Sequence, residues 1–227
     1  ISFVLTVIIS AFLVSQPDFG QACLILFGWS VVYFVAGAHI LLLIGVAAAT
    51  IGLGSFAYTY SEHFARRIDG FLSPDLDPKT QLGYATNAIQ EGGFFGVGVG
   101  EGQVKWSLPD AHTDFIIAVA AEEYGFVLVG LILAIYAAIV CISLARLLRE
   151  RDIFVRLAGT GLVCMFGIQA VINIGVAARL LPAKGMTLPF VSYGGSSLIA
   201  GGIAIGILLA LTRSRPQKNV ADIFIKG

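Results

Sequence analysis

The chain has 227 residues, of which 57% are hydrophobic and 12% charged, with 14 basic side chains balancing 14 acidic ones, and its mean hydropathy is +0.89. Soluble domains carry about one charged residue in four, so this composition excludes an ordinary soluble enzyme and indicates an integral membrane protein. Zero net charge offers no overall basic field for nucleic acid, and the scattered histidines and cysteines (Cys23, Cys141, Cys164) lack the spacing of metal ligands.

A membrane-crossing helix needs about 20 mostly apolar residues, within a range of about 17 to 25. Six runs are predicted as such helices: Ile1 to Ser15, Gly20 to Gly37, Ile40 to Tyr58, Phe115 to Ala145, Phe154 to Ala177, and Tyr193 to Leu211. Their apolar stretches are continuous, whereas barrel strands would alternate over about ten residues. The expected fold is therefore an all-α polytopic membrane protein. Residues 1–60 form three spans, 61–114 a large extracytoplasmic loop, 115–213 three more spans, and 214–227 a cytoplasmic tail. The first run starts within an apolar stretch and without a methionine, so it reads as truncated.

Orientation follows from the basic residues. Arg146, Arg149, Arg151 and Arg156 crowd the connection after the fourth run, and Arg213, Arg215, Lys218 and Lys226 follow the sixth. Two crossings separate these clusters, which puts them on one side, and the positive-inside rule makes that side cytoplasmic. The Gln16 to Gly20 turn, the loop 61–114 and the connection from Arg179 to Pro189 then face outward.

Within the outer loop, Ser73 to Pro78 is a turn cluster, and Thr80 to Glu91 carries Leu82, Ala85, Ala88 and Ile89 on one side, as a short helix on the membrane surface would. The glycine-rich run Gly92 to Gly100 has no preceding strand, so it reads as a flexible or close-packed loop rather than a dinucleotide site. Asp18, three residues before Gln21, has the spacing of a helix cap. Arg66, Arg67 and Lys184 either snorkel at the interface or pair with an anionic head group. Gln169 and Asn173 share a helix face and suit interhelical hydrogen bonds. The run Ser192 to Ser197, followed by Gly201, Gly202 and Gly206, suits either close helix contact or a phosphate cradle. Gly28 with Ala36, and Gly125 with Gly130, are small faces on which a partner helix could dock.

The most informative stretch is Leu108-Pro109-Asp110-Ala111-His112-Thr113-Asp114-Phe115, polar and placed where a long apolar helix begins. A carboxylate at such a boundary meets a low dielectric, which favours its protonated form. Asp114 is thus either a base or an ordinary helix cap. Glu122 and Glu123, about two turns further on, are expensive in a membrane helix without partners. They predict a polar seam descending from Asp114.

These stretches together resemble the SEDS family, the shape, elongation, division and sporulation proteins that polymerise peptidoglycan from lipid II. The residues that carry the likeness are Pro17 to Gly20, Gly92 to Gly100, Leu108 to Phe115, Glu122 to Gly125, Gln169 with Asn173 and Gly175, Pro182 to Leu188, and Ser192 to Ser197. The form of the Leu108 to Phe115 motif is closer to the division branch than to the elongation branch. The resemblance implies a fold of about ten helices, of which these six would be the C-terminal ones. It implies that Asp114 is catalytic, and that Arg66, Arg67, Lys105, His112, Thr113, Glu122, Glu123, Lys184, Ser192, Ser196 and Ser197 are candidate substrate contacts. No cofactor is required by it, although a divalent cation (Mg or Mn) at Asp114 stays open. The implied partners are a class B penicillin-binding protein (an FtsI-like transpeptidase), other divisome membrane proteins and lipid II, with no nucleic acid. A lipid II flippase and a non-catalytic divisome scaffold are the competing readings.

Overall fold

The computed structural model describes residues 1–16, 18–73, 80–182 and 185–213. Among these the elements are α1 (Ser2–Ser15), α2 (Phe19–Val35), α3 (Ile40–Tyr60), α4 (Glu62–Leu72), α5 (Gln81–Gly92), α6 (Ile116–Leu147), α7 (Ile153–Ala177) and α8 (Gly195–Thr212), with one 3-10 turn at Val104–Trp106. The chain is a multi-pass membrane protein: α3, α6, α7 and α8 are long and apolar enough to cross a bilayer. The six expected spans become four full-length helices and two shorter apolar ones. At 17 residues, α2 rises only about 26 Å, against a hydrocarbon core of roughly 30 Å. Local chemistry sets both ends of α2. Asp18 Oδ1 accepts the Gln21 amide at 3.1 Å and starts α2 at Phe19, while Gly37, at φ +79°, turns the chain away after Val35.

The long helix α7 is the hub, packed against α2, α5, α6 and α8. Its small residues admit neighbours closely: a Cβ on Gly159 would lie 3.0 Å from Leu147 Cδ1. Across the α2–α7 contact, a Cβ on Gly28 would meet Met165 Cγ at 3.0 Å, so the expected docking face at Gly28 is already filled from within the chain. On α8 a Cβ on Gly201 would lie 3.4 Å from Phe190 Cζ, whereas Gly202 and Gly206 have no close neighbour among the described residues.

Two short helices shape the stretch between α3 and α6. Helix α5 lies where the apolar spacing predicts a helix, but its Leu82, Ala85 and Ala88 are buried against Leu108, Ala111, Phe115 and Ala118. Its apolar face is thus covered by protein and not by the membrane surface. Helix α4, absent from the sequence reading, is strongly amphipathic and starts on Ser61, whose hydroxyl accepts the Phe64 amide at 3.4 Å. The turn cluster after Ser73 and the tail 214–227 lie outside the described residues.

Helix α6 is broken at Gly125, which takes φ +74° and ψ −173°. That conformation is forbidden to most side chains and frees backbone groups that a regular helix would pair internally. The glycine-rich run fills the gap. Val97 and Gly98 donate their amides to the Glu122 and Glu123 carbonyls at 2.9 and 3.1 Å, and Phe126 and Val127 donate to the Gly93 and Phe94 carbonyls at 3.0 and 3.3 Å. Gly93, Gly96, Gly98 and Gly100 all have positive φ, which is why glycine is needed for the run to enter the break. Gly125 is therefore inside the fold, not on a free docking face. The stitched break sets α6 and the loop preceding it as one unit.

Candidate active site

The site is built on the turn that leads into α6. Asp110 sits at φ +55°, a left-handed geometry that aspartate tolerates better than most residues. Its carbonyl collects the amides of Thr113 and Asp114 at 3.1 and 3.0 Å and the Thr113 hydroxyl at 3.2 Å. The residue at the helix boundary is Phe115, with no side-chain cap. The Asp114 carboxylate is consequently free of capping duty: among the described residues, nothing donates a hydrogen bond to it.

Three tethers hold this turn. Asn173 of α7, 1% exposed, donates through Nδ2 to the Asp114 carbonyl at 3.0 Å and to the Met186 carbonyl at 2.6 Å. Ser192 Oγ donates to the Thr113 carbonyl at 2.5 Å and accepts the Leu188 amide at 2.8 Å. The Tyr193 amide donates to the His112 carbonyl at 2.9 Å. Together they fix the turn to the segment before α8, so that a Cβ on Gly185 would lie 3.1 Å from Asp114 Oδ2. Asn173, read from sequence as an interhelical packing amide, instead ties two loops at the carboxylate. Its spacing on α7 shows only that it faces inward.

Burial at this half-buried position raises the proton affinity of Asp114 above the ordinary aspartate value. The neighbouring Asp110 charge raises it further, and Arg67 opposes the rise. Arg67 reaches the site because it lies three residues after Phe64, on the inward stripe of α4 with Ile68. Arg66 lies off that stripe and pairs with Glu62 at 3.1 Å, both highly exposed. The spacing of Phe64, Ile68 and Phe71 was the sequence signal that separates the two arginines.

A partly open cavity of about 570 Å³ lies beside the turn, lined by α1, α2, α3, α4 and the segment at Gly185 and Met186. Apolar side chains such as Phe3, Val7, Leu26 and Leu53 make its depth, while Asp18, Arg67 and Gly185 also line it. The carboxylate therefore stands where a largely apolar chamber meets a polar loop.

The seam expected below Asp114 runs elsewhere. Glu122 is 0% exposed, and its two oxygens accept the amides of Val104 and Lys105 at 2.8 and 3.0 Å. Gly102 packs on it so closely that a Cβ there would lie 2.7 Å from Glu122 Cδ. Glu123 forms an ion pair with Lys105. These three charges hold the loop to α6, so among the candidate contacts Glu122 is closed to a ligand. Thr113 and Ser192 are engaged in the turn, and Ser197 shares a 2.8 Å hydrogen bond with Thr187. His112 and Ser196 are exposed. Lys184 lies outside the described residues.

The profile of the FtsW/RodA/SpoVE cell cycle proteins matches residues 1–217. The chain belongs to this family. A Caulobacter vibrioides relative described as a probable peptidoglycan glycosyltransferase FtsW is 43% identical over 217 residues, covering 95% of this chain and 55% of that protein. The FtsW/RodA/SpoVE fold is shared with a solved chain from work on polymerization and crosslinking by a peptidoglycan synthase complex, at TM-score 0.77 and 34% identity, over 94% of this chain and 61% of the other. The crystal structure of Thermus thermophilus rod shape determining protein RodA matches at TM-score 0.60 and 31% identity, over 94% and 55%. This FtsW/RodA/SpoVE chain thus spans little more than half the length of the relatives it matches.

Proposed function

We propose that this chain forms the catalytic part of a peptidoglycan glycosyltransferase that polymerises lipid II on the outer face of the cytoplasmic membrane. The observation that carries the reading is the Asp114 carboxylate: it caps no helix, its proton affinity is raised, and it lies against Gly185 at the edge of the apolar cavity. A lipid-linked sugar needs that combination, an apolar chamber for part of the polyprenyl chain and a base beside the place where the sugar emerges. In the reaction, the 4-hydroxyl of the N-acetylglucosamine on an incoming lipid II attacks the anomeric carbon of the growing strand. The new glycosidic bond forms as the bond to undecaprenyl diphosphate breaks, and Asp114 takes the hydroxyl proton. Such proton transfer contributes about 10² to 10⁴-fold, and holding both lipid-anchored substrates in one plane supplies much of the remainder.

Arg67, on the cavity wall, would steady the departing diphosphate, since guanidinium pairs with phosphate oxygens bidentately. The Asp114 carboxylate could hold a Mg or Mn ion that takes its other ligands from phosphate and water. An ion bound there would neutralise leaving-group charge. The relation to FtsW proteins supports a role at the division site, with a class B penicillin-binding protein as partner. The test is labelled lipid II supplied to the purified full-length protein with that partner. Polymer that penicillin does not suppress is expected, whereas lipid translocation without polymer would establish a transporter instead.

A further inference from the structure

A second cleft, of about 520 Å³, lies beside the same turn and is lined by Lys105, Trp106, Asp110, His112, Glu123 and Tyr193 among others. Trp106 and Tyr193 are 76% and 79% exposed, yet both border a lining rich in polar and charged groups. Tyr193 is anchored to the turn by its amide bond to the His112 carbonyl at 2.9 Å. The charges in the cleft are largely spent on each other. Lys105 pairs with Glu123 and its ammonium lies 5.3 Å from the centre of the Trp106 ring, which leaves Asp110 as the unpaired charge among the described lining residues. A phosphate or carboxylate ligand would find no free cation there. A neutral ligand with an apolar face and hydroxyl edges would find aromatic surface for the first and Asp110 and His112 for the second.

We infer that this cleft is a saccharide subsite that holds an uncharged amino-sugar segment of the glycan strand beside the Asp110–Asp114 turn. The inference rests on the glycosyltransferase reading for the kind of sugar, and on the cleft itself for its binding. The volume falls in the range of about 300 to 1,000 Å³ typical of small-molecule sites. The turn then divides two environments: apolar cavity past Asp114 and Gly185 on one side, sugar cleft at Asp110 and His112 on the other. A strand held in the cleft would be retained between additions, so the subsite governs strand length more than the chemistry of a single transfer.

The experiment is saturation-transfer NMR with chitotetraose and the full-length protein in nanodiscs, comparing wild type, Trp106→Leu, Tyr193→Ala, the double variant and Asp114→Asn. Saturable transfer to the sugar ring protons is expected for wild type and Asp114→Asn at millimolar sugar. Each aromatic substitution should weaken it about tenfold, near the upper end for one aromatic contact. Both rings are too exposed for their loss to unfold the protein, and the two variants should also make shorter strands from lipid II. Absence of saturable transfer in wild type, or undiminished binding by the double variant, overturns the subsite and leaves the two rings as interfacial anchors. Sugar binding needs no turnover, which keeps the two readings apart: an active protein that ignores chitotetraose refutes the cleft alone, while an inactive protein that binds it refutes the polymerase alone.

Discussion

Asparagine at position 114 keeps the size of the side chain and removes its capacity to accept a proton. The structure makes the consequence for stability and the consequence for rate separable. If Asp114 capped α6, its loss would cost about 0.5 to 2 kcal/mol, but the boundary residue is Phe115 and no side chain caps it. The tether from Asn173 goes to the Asp114 main-chain carbonyl and survives any substitution. Because the folded protein holds the Asp114 proton more tightly than the unfolded chain does, this group stabilises the fold fully below the unfolded aspartate pKa, and the contribution is lost as pH rises through the higher folded value. At neutral pH the ionised carboxylate is therefore a burden that asparagine lacks. Asp114→Asn should melt at or above the wild-type temperature at neutral pH, with the advantage vanishing in acid. Its polymerisation rate should fall by about 10² to 10⁴, or about 2.7 to 5.4 kcal/mol of transition-state stabilisation at 1.36 kcal/mol per decade. The assay is initial glycan synthesis from labelled lipid II with the partner present, beside thermal melts at two pH values. A well-folded Asp114→Asn protein polymerising within about tenfold of wild type would refute the general-base assignment.

The two charges that tune Asp114 should move the acid limb of the pH–rate profile in opposite directions. Asp110→Asn removes a raising influence and should shift the limb to lower pH, while Arg67→Gln removes a lowering one and should shift it to higher pH; a common direction for both would break the argument. Glu122→Ala leaves the part-buried Val104 and Lys105 amides without their acceptors. At about 1 kcal/mol for each part-buried amide, the low end for an orphaned group, the variant should lose about 2 kcal/mol and loosen the loop from α6, read as a lower melting temperature and faster proteolysis around Gln103. In a cysteine-free background, Gln103→Cys should react with an impermeant thiol reagent from outside the cell and Arg151→Cys should not; labelling of position 151 would invert the orientation.

Continuous apolar runs with few charges can be buried only in lipid or in a very large core, so composition alone determined that this is a helical membrane protein. Residue spacing alone also placed α5, because an apolar stripe at helical period must find something to cover it. The motif from Leu108 to Phe115 singled out Asp114, yet local sequence left base and cap equally open, since both need a carboxylate at a helix start. Tertiary structure set aside the cap by placing the boundary at Phe115 and turning Asp110 into the left-handed region, and the base is the role we propose for the carboxylate so released. It also decided what the glutamates do. A helical wheel assumes an unbroken helix, and once Gly125 breaks α6 and the glycine run enters the gap, Glu122 meets the Val104 and Lys105 amides instead of continuing a seam from Asp114. The length of α2 depended likewise on the Asp18 cap and the Gly37 turn, which act on the backbone beneath a hydropathy pattern that does not register them. Asn173 came to the site through a hydrogen bond distant in the chain, and Arg67 came near enough for its charge to act on Asp114. Periodicity gives the face on which such residues lie, and only packing gives the groups they act on.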